Sequence, residues 1–296
     1  MLKHRKKKER NHTIALSERR GEGLTDLHIH TNASDGTWDT ATLIKKLREN
    51  NIIHFSITDH DTFINSKKML NEDLIGLNFV IGVEVSSMIN QEEYHILAYD
   101  FDYDHKEFND LLIFNQKARK EYDRKIIEHL KNKSIIKDVT DYNAYSYNPS
   151  RGGWDSLNYL IDKGVINHKA EFFSLIENLD LKPEFKDPGE VIEVIKKAGG
   201  TPILAHPTNY LPIESVENGV LDRWFDWGIH GIECYSPYLS QQSDADIFID
   251  YCKEHDLLIT SGSDCHGEFL NRPLGYPNIK LDNLIVPFLD QKLILY

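Results

Sequence analysis

Seven short runs rich in β-branched and aromatic residues recur along the chain: LTDLHIH (24–30), IIHFSIT (52–58), NFVIGVEVS (78–86), YHILAYD (94–100), TPILAHP (201–207), HGIECYS (230–236) and LLITSGSD (257–264). Three of them lead into stretches whose apolar positions recur at helical spacing: Trp38–Asn50, Ile213–Trp227 and Gln241–His255. Strand–helix alternation predicts an α/β fold with parallel strands, and seven runs approach the count of a barrel built from repeated βα units. One stretch breaks this rhythm. Between Asp100 and Thr201 no buried-strand pattern occurs. Glu107–Lys133 instead predicts a long amphipathic helix carrying Leu111, Ile126, Ile127 and Leu130, followed by shorter helices at Asp155–Asp162, Lys169–Asn178 and Pro188–Ala198. Gly199-Gly200 stops the last of these just before the next strand. The expected organisation is a basic tail (1–22), a barrel made of 23–102 and 188–296, and a helical insertion (103–187) closing over one barrel face.

Composition narrows the class. With 40% apolar and 27% charged residues in 296, the chain reads as a folded globular protein. No apolar run approaches the roughly 20 residues that span a bilayer, and no signal-peptide core follows the N-terminus, so a cytoplasmic protein is expected. Cys234, Cys252 and Cys265 are too far apart in sequence to suggest a disulfide framework and suit a reducing compartment. The formal net charge of −13 argues against a general nucleic-acid coat. That charge is uneven: residues 1–20 carry +6 and the remainder −19. The basic start reads as a solvated tail, with an RNA or anionic-membrane tether as its functional alternative.

The 14 histidines change the picture, because many fall at the ends of the strand runs. The first run ends in His28-Ile29-His30, and a period of two puts both imidazoles on one face. Asp35 follows in a Ser-Asp-Gly turn, and His60 follows the second run. Glu84 sits late in the third, His95 in the fourth, His206 at the end of the fifth, and Asp264 with His266 at the end of the last. In a parallel barrel these ends converge on one mouth. Singly, each residue has a bland explanation; together, six of seven strand endings carry one. Carboxylates clustered without compensation would repel one another, whereas imidazole and carboxylate together are the ligand set of zinc, manganese or iron. Nine ligands suit two or three ions. The other eight histidines, among them His54, His129 and His255, read as ordinary core, surface or tail residues. Cys265 reads as core, turned away from Asp264 and His266 by alternation. Asp26 and Asp59 share the ligand faces and are candidates to orient ligands from behind.

In order, the motifs DLHIHTNASDGT (26–37), ITDHDT (57–62), GVEVSS (82–87), YHILAYD (94–100), AHP (205–207), GIE (231–233) and GSDCHG (262–267) resemble those of the PHP (polymerase and histidinol phosphatase) superfamily. The resemblance covers about 24–100 and 199–275, and within the superfamily it is nearest the TrpH/YciV-like group. It implies a distorted (β/α)7 TIM-like barrel with three metal positions. The first would take His28, His30, Glu84 and Asp264; the second Asp35, His60 and His266; the third Glu84, His95 and His206, with Glu84 bridging. One departure stands out. Where that group carries a Gly-Arg-Pro-His-like turn facing the substrate phosphate, this chain reads Ser150-Arg151-Gly152-Gly153-Trp154-Asp155, keeping the arginine without the histidine. Arg151, and Arg272 in the loop after Gly267, are therefore the candidate substrate contacts.

The expected activity is hydrolysis of a phosphate monoester of a nucleotide, such as a nucleoside 3′,5′-bisphosphate, or of a short oligonucleotide. The expected cofactors are two or three divalent ions (Mn, Zn or Fe), with a hydroxide bridging two of them attacking phosphorus in line. Asp264, His266 and His206 are the expected catalytic residues. A 5′→3′ exoribonuclease on short RNA and a histidinol-phosphatase-like metabolite phosphatase are alternatives that use the same site. An amidohydrolase shares an HxH barrel but not the TDHD and SDCHG endings. A metal-binding module of a larger assembly is the non-enzyme alternative; no particular protein partner is predicted.

Overall fold

In a computed structural model that describes residues 23–217 and 219–290, the seven apolar runs become seven strands lying side by side in chain order. These are β1 (Leu24–Asp26), β2 (Ile52–Ile57), β3 (Asn78–Ile89), β4 (Glu92–Tyr99), β5 (Thr201–Leu204), β6 (Gly231–Tyr235) and β7 (Leu258–Ser261). This is the strand order of a distorted TIM-like barrel, with β1 and β7 as the edges of an unclosed ladder. The seam between them is crossed by Leu27 N–H donating to Ser261 O at 3.0 Å and His30 N–H donating to Cys265 O at 2.9 Å. The basic stretch expected as a tail lies outside the described residues.

The expectation of parallel strands throughout is corrected at β4, which runs antiparallel to both β3 and β5. The reason lies in the connection. Only Asn90 and Gln91 separate β3 from β4, both at positive φ (52° and 66°), the backbone of a two-residue hairpin turn. A parallel crossover needs a dozen or more residues.

Alternation sorts the strand side chains. Ile81, Val83, Val85, Ile96 and Ala98 belong to the main core beneath the helices. Val80, Leu97 and Tyr99, on the opposite face, pack with Leu27, Ile203 and Ala205 into a second apolar cluster. By the period of two, Glu84 shares the face of Val80, and His95 that of Leu97 and Tyr99. The inner face thus has an apolar floor, closed by Val286, Phe288 and Leu289, and its polar positions lie above it.

Helices accompany the strands, most of them where the sequence places them. They include α1 (Thr40–Glu49), α2 (Ile64–Met69), α3 (Lys106–Asn132), α4 (Asp155–Asp162), α5 (Lys169–Glu177), α6 (Pro188–Lys197), α7 (Ile213–Glu217), α8 (Val220–Trp227) and α9 (Asp246–Glu254). Of these, α4 and α5 stand over the mouth rather than on the outer face. Asp39 caps α1 by accepting the Thr42 N–H, and Asp187 caps α6 by accepting the Gly189 N–H. The expected helix Ile213–Trp227 is two pieces, the second entered through Gly219 at φ 77°. The short α2 escaped the sequence reading. Cys234 and Cys252, distant in sequence, meet with sulfurs 3.8 Å apart and remain free thiols, as does Cys265.

Helix α3 joins two cores. Its early residues Phe108, Leu111 and Leu112 belong to the main core. Its late residues Ile126, Ile127 and Leu130 belong to another, with Leu157, Tyr159, Leu160 and Phe172. The middle of the inward stripe is polar: Asn115 donates to Asp61 Oδ1 (2.7 Å) and Ser86 O (2.8 Å), Gln116 donates to Asp61 O (2.7 Å), and Arg119 pairs with Glu93.

One polar contact in this layer sets a pH dependence. Asp123 of α3 accepts from Ser156 Oγ of α4 at 2.5 Å, and burial pushes its carboxyl up to about 7. A pKa raised in the folded state means ionisation is disfavoured there, so stability is lost as pH climbs from the unfolded value near 3.8 through 7. At about 1.4 kcal/mol per unit, the ceiling on that loss at pH 8 is roughly 4 kcal/mol. Asp123→Asn is expected to melt several degrees higher than the parent at pH 8, with the gap closing towards pH 4. Melting curves that keep a constant gap across this range would contradict the assignment.

Candidate metal centre

All nine expected ligands meet at the mouth formed by the C-terminal ends of the parallel strands. His28 and His30 leave β1, His60 leaves β2, Glu84 projects from β3, His206 leaves β5, and Asp264 and His266 leave β7. His95 arrives from the other direction, near the N-terminal end of the reversed β4, paired in register with Ser86. Two of these turns are strained: His206 (φ 25°) and Asp264 (φ 50°) hold left-handed backbone, as does Asp61 (φ 51°) beside His60. Each costs on the order of 1 kcal/mol or more, sustained by the structure around the turn.

Four donor atoms define the first group. His28 Nε2 lies 3.2 Å from His30 Nε2, 3.2 Å from Glu84 Oε2 and 3.5 Å from Asp264 Oδ1. His30 Nε2 lies 3.1 Å from both carboxylate oxygens. Ligand atoms bonded to one cation at about 2.1 Å sit roughly 3.0–3.4 Å from one another, so these spacings fit the edges of a coordination shell. Glu84 turns its other oxygen to a second group: Oε1 lies 3.0 Å from His95 Nδ1 and 2.9 Å from His206 Nε2, themselves 3.4 Å apart. In a third group Asp35 Oδ2 is 3.3 Å from His266 Nε2 and 3.9 Å from His60 Nε2. His60 sits between groups, because its Nδ1 is 3.1 Å from Glu84 Oε2.

The chemistry of these atoms supports cations. Among the described residues, two of these donor atoms, His60 Nδ1 and Glu84 Oε2, are buried without a hydrogen bond, although buried polar groups ordinarily find a partner. Burial disfavours every charged form. It prevails at His60, pushed down to about 3 despite Glu84 and Asp35. Elsewhere the opposite charges prevail over burial. Asp264 and Glu84 raise His30 to about 9, and Glu84 and Glu93 raise His95 to about 10. The neighbouring imidazoles hold Glu84, Asp264 and Asp35 well below the usual carboxylate range.

A further layer holds the donors in aim. Glu233 is buried in the middle of β6 and had no role in the sequence reading. Its carboxylate faces His28 Nδ1 at 3.1 and 3.2 Å and accepts the His206 backbone N–H at 2.8 Å. That leaves His28 Nε2 for the cluster. The signal was present: β6 was the one strand without an assigned ligand, and GIE places a buried carboxylate within it. A Cβ at Gly262 would come within 2.1 Å of His28 Cβ and 2.5 Å of Glu233 Oε1, so this approach requires glycine. Asp59 and Asp26 orient loops rather than imidazoles. Asp59 accepts from Thr31 N–H (2.7 Å), Thr31 Oγ1 (2.6 Å) and Ser34 Oγ (2.6 Å), fixing the turn that carries Asp35. Asp26 accepts from Ser263 N–H, Ser263 Oγ and Gly275 N–H, fixing the loop that carries Asp264.

Above the donors opens a cavity of about 630 Å³ lined by Asp35, His60, His95 and His206. Its other walls include Arg119, Lys120 and Lys182 and the rings of Tyr122, Tyr147, Trp154 and Phe173. Neither arginine expected to meet substrate is among the lining residues. Arg151 pairs with Asp162 Oδ2 at 2.9 Å. What approaches the site is the turn after it: Gly153 N–H donates to Asp35 O at 2.9 Å, and a Cβ on Gly152 would lie 2.8 Å from the same oxygen. Arg272 pairs with Asp264 Oδ2 and lies over the Tyr238 ring, whose hydroxyl donates to that oxygen at 2.9 Å. It is committed to a ligand carboxylate. His54, near Asn78 Nδ2 (3.1 Å), and His255, stacked on Tyr251, stay outside the centre.

Protons on His30 and His95 must leave before those atoms can bind a cation. Cation affinity is therefore expected to rise with pH between 6.5 and 8.5, by about tenfold per pH unit for each proton displaced. Calorimetric titration with Mn²⁺ or Zn²⁺ at several pH values measures this, and a pH-independent affinity would contradict the ligand assignment.

A PHP domain model matches residues 26–183, more than half of the chain. The 5′-3′ exoribonuclease of Haemophilus influenzae is 27% identical over 248 residues, covering 81% of this chain and 89% of that protein. The 5′-3′ exoribonuclease Rnm of Salmonella typhimurium is 27% identical over 218 residues, covering 66% and 69%. Two solved structures share the fold. A candidate metal-dependent phosphoesterase from Bifidobacterium adolescentis has a TM-score of 0.72 at 24% identity, covering 88% of this chain and 94% of its own. An amidohydrolase from Chromobacterium violaceum has a TM-score of 0.68 at 22% identity, covering 87% and 90%. With its motifs in order, its strand arrangement and this match, the chain belongs to the PHP family, a family of hydrolases that act on phosphoric esters.

Proposed function

We propose that the protein is a metal-dependent phosphoesterase that removes nucleotides from the 5′ end of short RNA in the cytoplasm. The observation that carries this reading is the cavity, which sets cationic and aromatic side chains directly above the donor cluster. Lys120 and Lys182 suit phosphate groups, and Tyr122, Tyr147, Trp154 and Phe173 suit bases, whose stacking is worth roughly 1–3 kcal/mol each. A pocket of about 630 Å³ takes a chain end in preference to a passing duplex. The exoribonucleases of Haemophilus influenzae and Salmonella typhimurium, aligned over most of their lengths, support the same choice.

On this reading His28, His30, Glu84 and Asp264 hold one cation, Asp35, His60 and His266 a second, and Glu84, His95 and His206 a third. The nitrogen and oxygen donors suit manganese, zinc or iron. Bound cations supply Lewis acidity towards a phosphoryl oxygen and lower the pKa of water. The chain's own part is to orient: the lysines fix the phosphates flanking the scissile bond, and the rings fix the terminal base. Asp264, His266 and His206 are the residues whose loss removes catalysis. The division into a barrel (23–102 and 188 onward) and an inserted helical unit (103–187) belongs to the same proposal, the inserted unit furnishing about half of the cavity wall. A second reading, hydrolysis of a phosphate monoester of a nucleotide such as a nucleoside 3′,5′-bisphosphate, is favoured by the cavity's size, which also suits one nucleotide.

Products separate the two. With manganese present, 5′-phosphorylated oligoribonucleotides are expected to release mononucleotides stepwise, and the rate to fall with added salt as phosphate contacts are screened. Inorganic phosphate together with a full-length 5′-hydroxyl oligonucleotide, and no mononucleotide, would favour the second reading. Asp264→Asn and His266→Ala should each lower turnover by about 10³-fold or more, as befits loss of several kcal/mol of charge stabilisation. Undiminished turnover in both would remove the site assignment.

A further inference from the structure

His95 is the one proposed ligand with a second carboxylate on its far side that is in turn held by the polar middle of α3. Its Nδ1 faces Glu84 Oε1 (3.0 Å) and His206 Nε2 (3.4 Å), while its Nε2 faces Glu93 Oε1 at 3.0 Å. The same Glu93 oxygen pairs with the guanidinium of Arg119. Arg119 is fixed in turn, lying 4.6 Å over the Phe185 ring. All three polar side chains are largely sheltered, at 19%, 26% and 25% exposure, so little water competes for these contacts. An imidazole can offer either nitrogen, and the hydrogen bond on one decides which lone pair is left for a cation.

We propose that Glu93 and Arg119 are positioning residues for His95: they hold the proton on Nε2 and aim Nδ1 at Glu84 and His206, so that filling of that one cation position depends on helix α3. The inference rests on the reading that the donor cluster binds cations. It sets the His95 position apart from the other two, since His28 is held by Glu233 of the sheet itself and His266 Nδ1 by the backbone oxygen of Asp264 at 2.7 Å. Arg119 also lines the cavity, so the brace of this ligand stands in the cavity wall.

The test is a manganese titration of metal-stripped full-length protein by equilibrium dialysis with elemental analysis, independent of turnover. Glu93→Gln and Arg119→Gln are expected to weaken one class of bound Mn²⁺ by about 10–100-fold, the usual cost of losing such support, and to leave the others in place. His95→Ala should lose the same class, and Arg119→Lys should recover part of it because it restores a cation beside Glu93. Melting of the metal-free proteins checks folding. Wild-type titration in Glu93→Gln, or loss of every class in both Glu93→Gln and Arg119→Gln, would overturn the proposal and leave the pair a structural brace. The failure of the underlying reading looks different: wild-type protein that binds no Mn²⁺, or a His95→Ala titration identical to wild type.

Discussion

Six imidazoles and three carboxylates aimed into one small, largely buried volume are the constraint to which the rest of the molecule answers. Removing a carboxylate from water costs several kcal/mol unless opposite charge replaces the solvent. Here protonated imidazoles or cations must do so. The strained backbones at His206 and Asp264 show what is spent to bring the groups this close. Donor spacings of 3.1–3.5 Å around His28, His30, Glu84 and Asp264, with Glu84 Oε2 left without a hydrogen bond, suit a cation better than they suit one another.

Holding such a cluster takes rigidity from every side. Below it, the apolar floor of Val80, Leu97 and Tyr99 keeps the inner face closed to water. Around it, a second ring of acids works at one remove. Asp26 and Asp59 each gather three or more donors from loops, so that the backbone carrying Asp264 or Asp35 has one available course. Glu233 and Glu93 act on the imidazoles themselves and decide which nitrogen looks inward. These acids help explain how a protein of net charge −13 can be built for phosphate: part of its negative charge lies behind the site, turned towards histidine or arginine.

Much of this was legible because chemistry recurred at one place in each strand. A period of two put His28 and His30 on one face, and the coincidence of six strand endings gave the ligand set. What escaped detection depended on partners distant in sequence. Glu233 stands mid-strand in β6 and needs His28, 205 residues away, to show its purpose. The arginines misled for the same reason: Arg151 and Arg272 look like free cations until Asp162 and Asp264 are seen beside them. The reversal of β4 was legible and missed. Two residues between strong strands cannot hold a crossover, whatever the surrounding βα rhythm suggests. On α3, the apolar residues announced the helix, while the gap between Leu112 and Ile126 concealed the residues that matter at the site.

That reversal also explains how a helix comes to face the mouth at all. In an ordinary βα unit the strand ends at the mouth, and the helix descends from there to the base of the barrel. Because β4 descends instead, the chain leaves it at the base, and α3 starts there: Glu107 in its first turn meets Lys197 at 3.2 Å, beside the end of α6 that feeds β5. From that point a helix of 27 residues, about 40 Å long, can only climb. Its first turns pack the barrel core, its middle passes the mouth with Asn115, Gln116, Arg119 and Asp123 facing inward, and its last turns rise into a separate core with α4 and α5. A two-residue turn at Asn90–Gln91 therefore does more than reverse a strand. It brings His95 to the mouth from β4's near end and sends the chain back up past it carrying Arg119, so the ligand and its brace are two consequences of one hairpin.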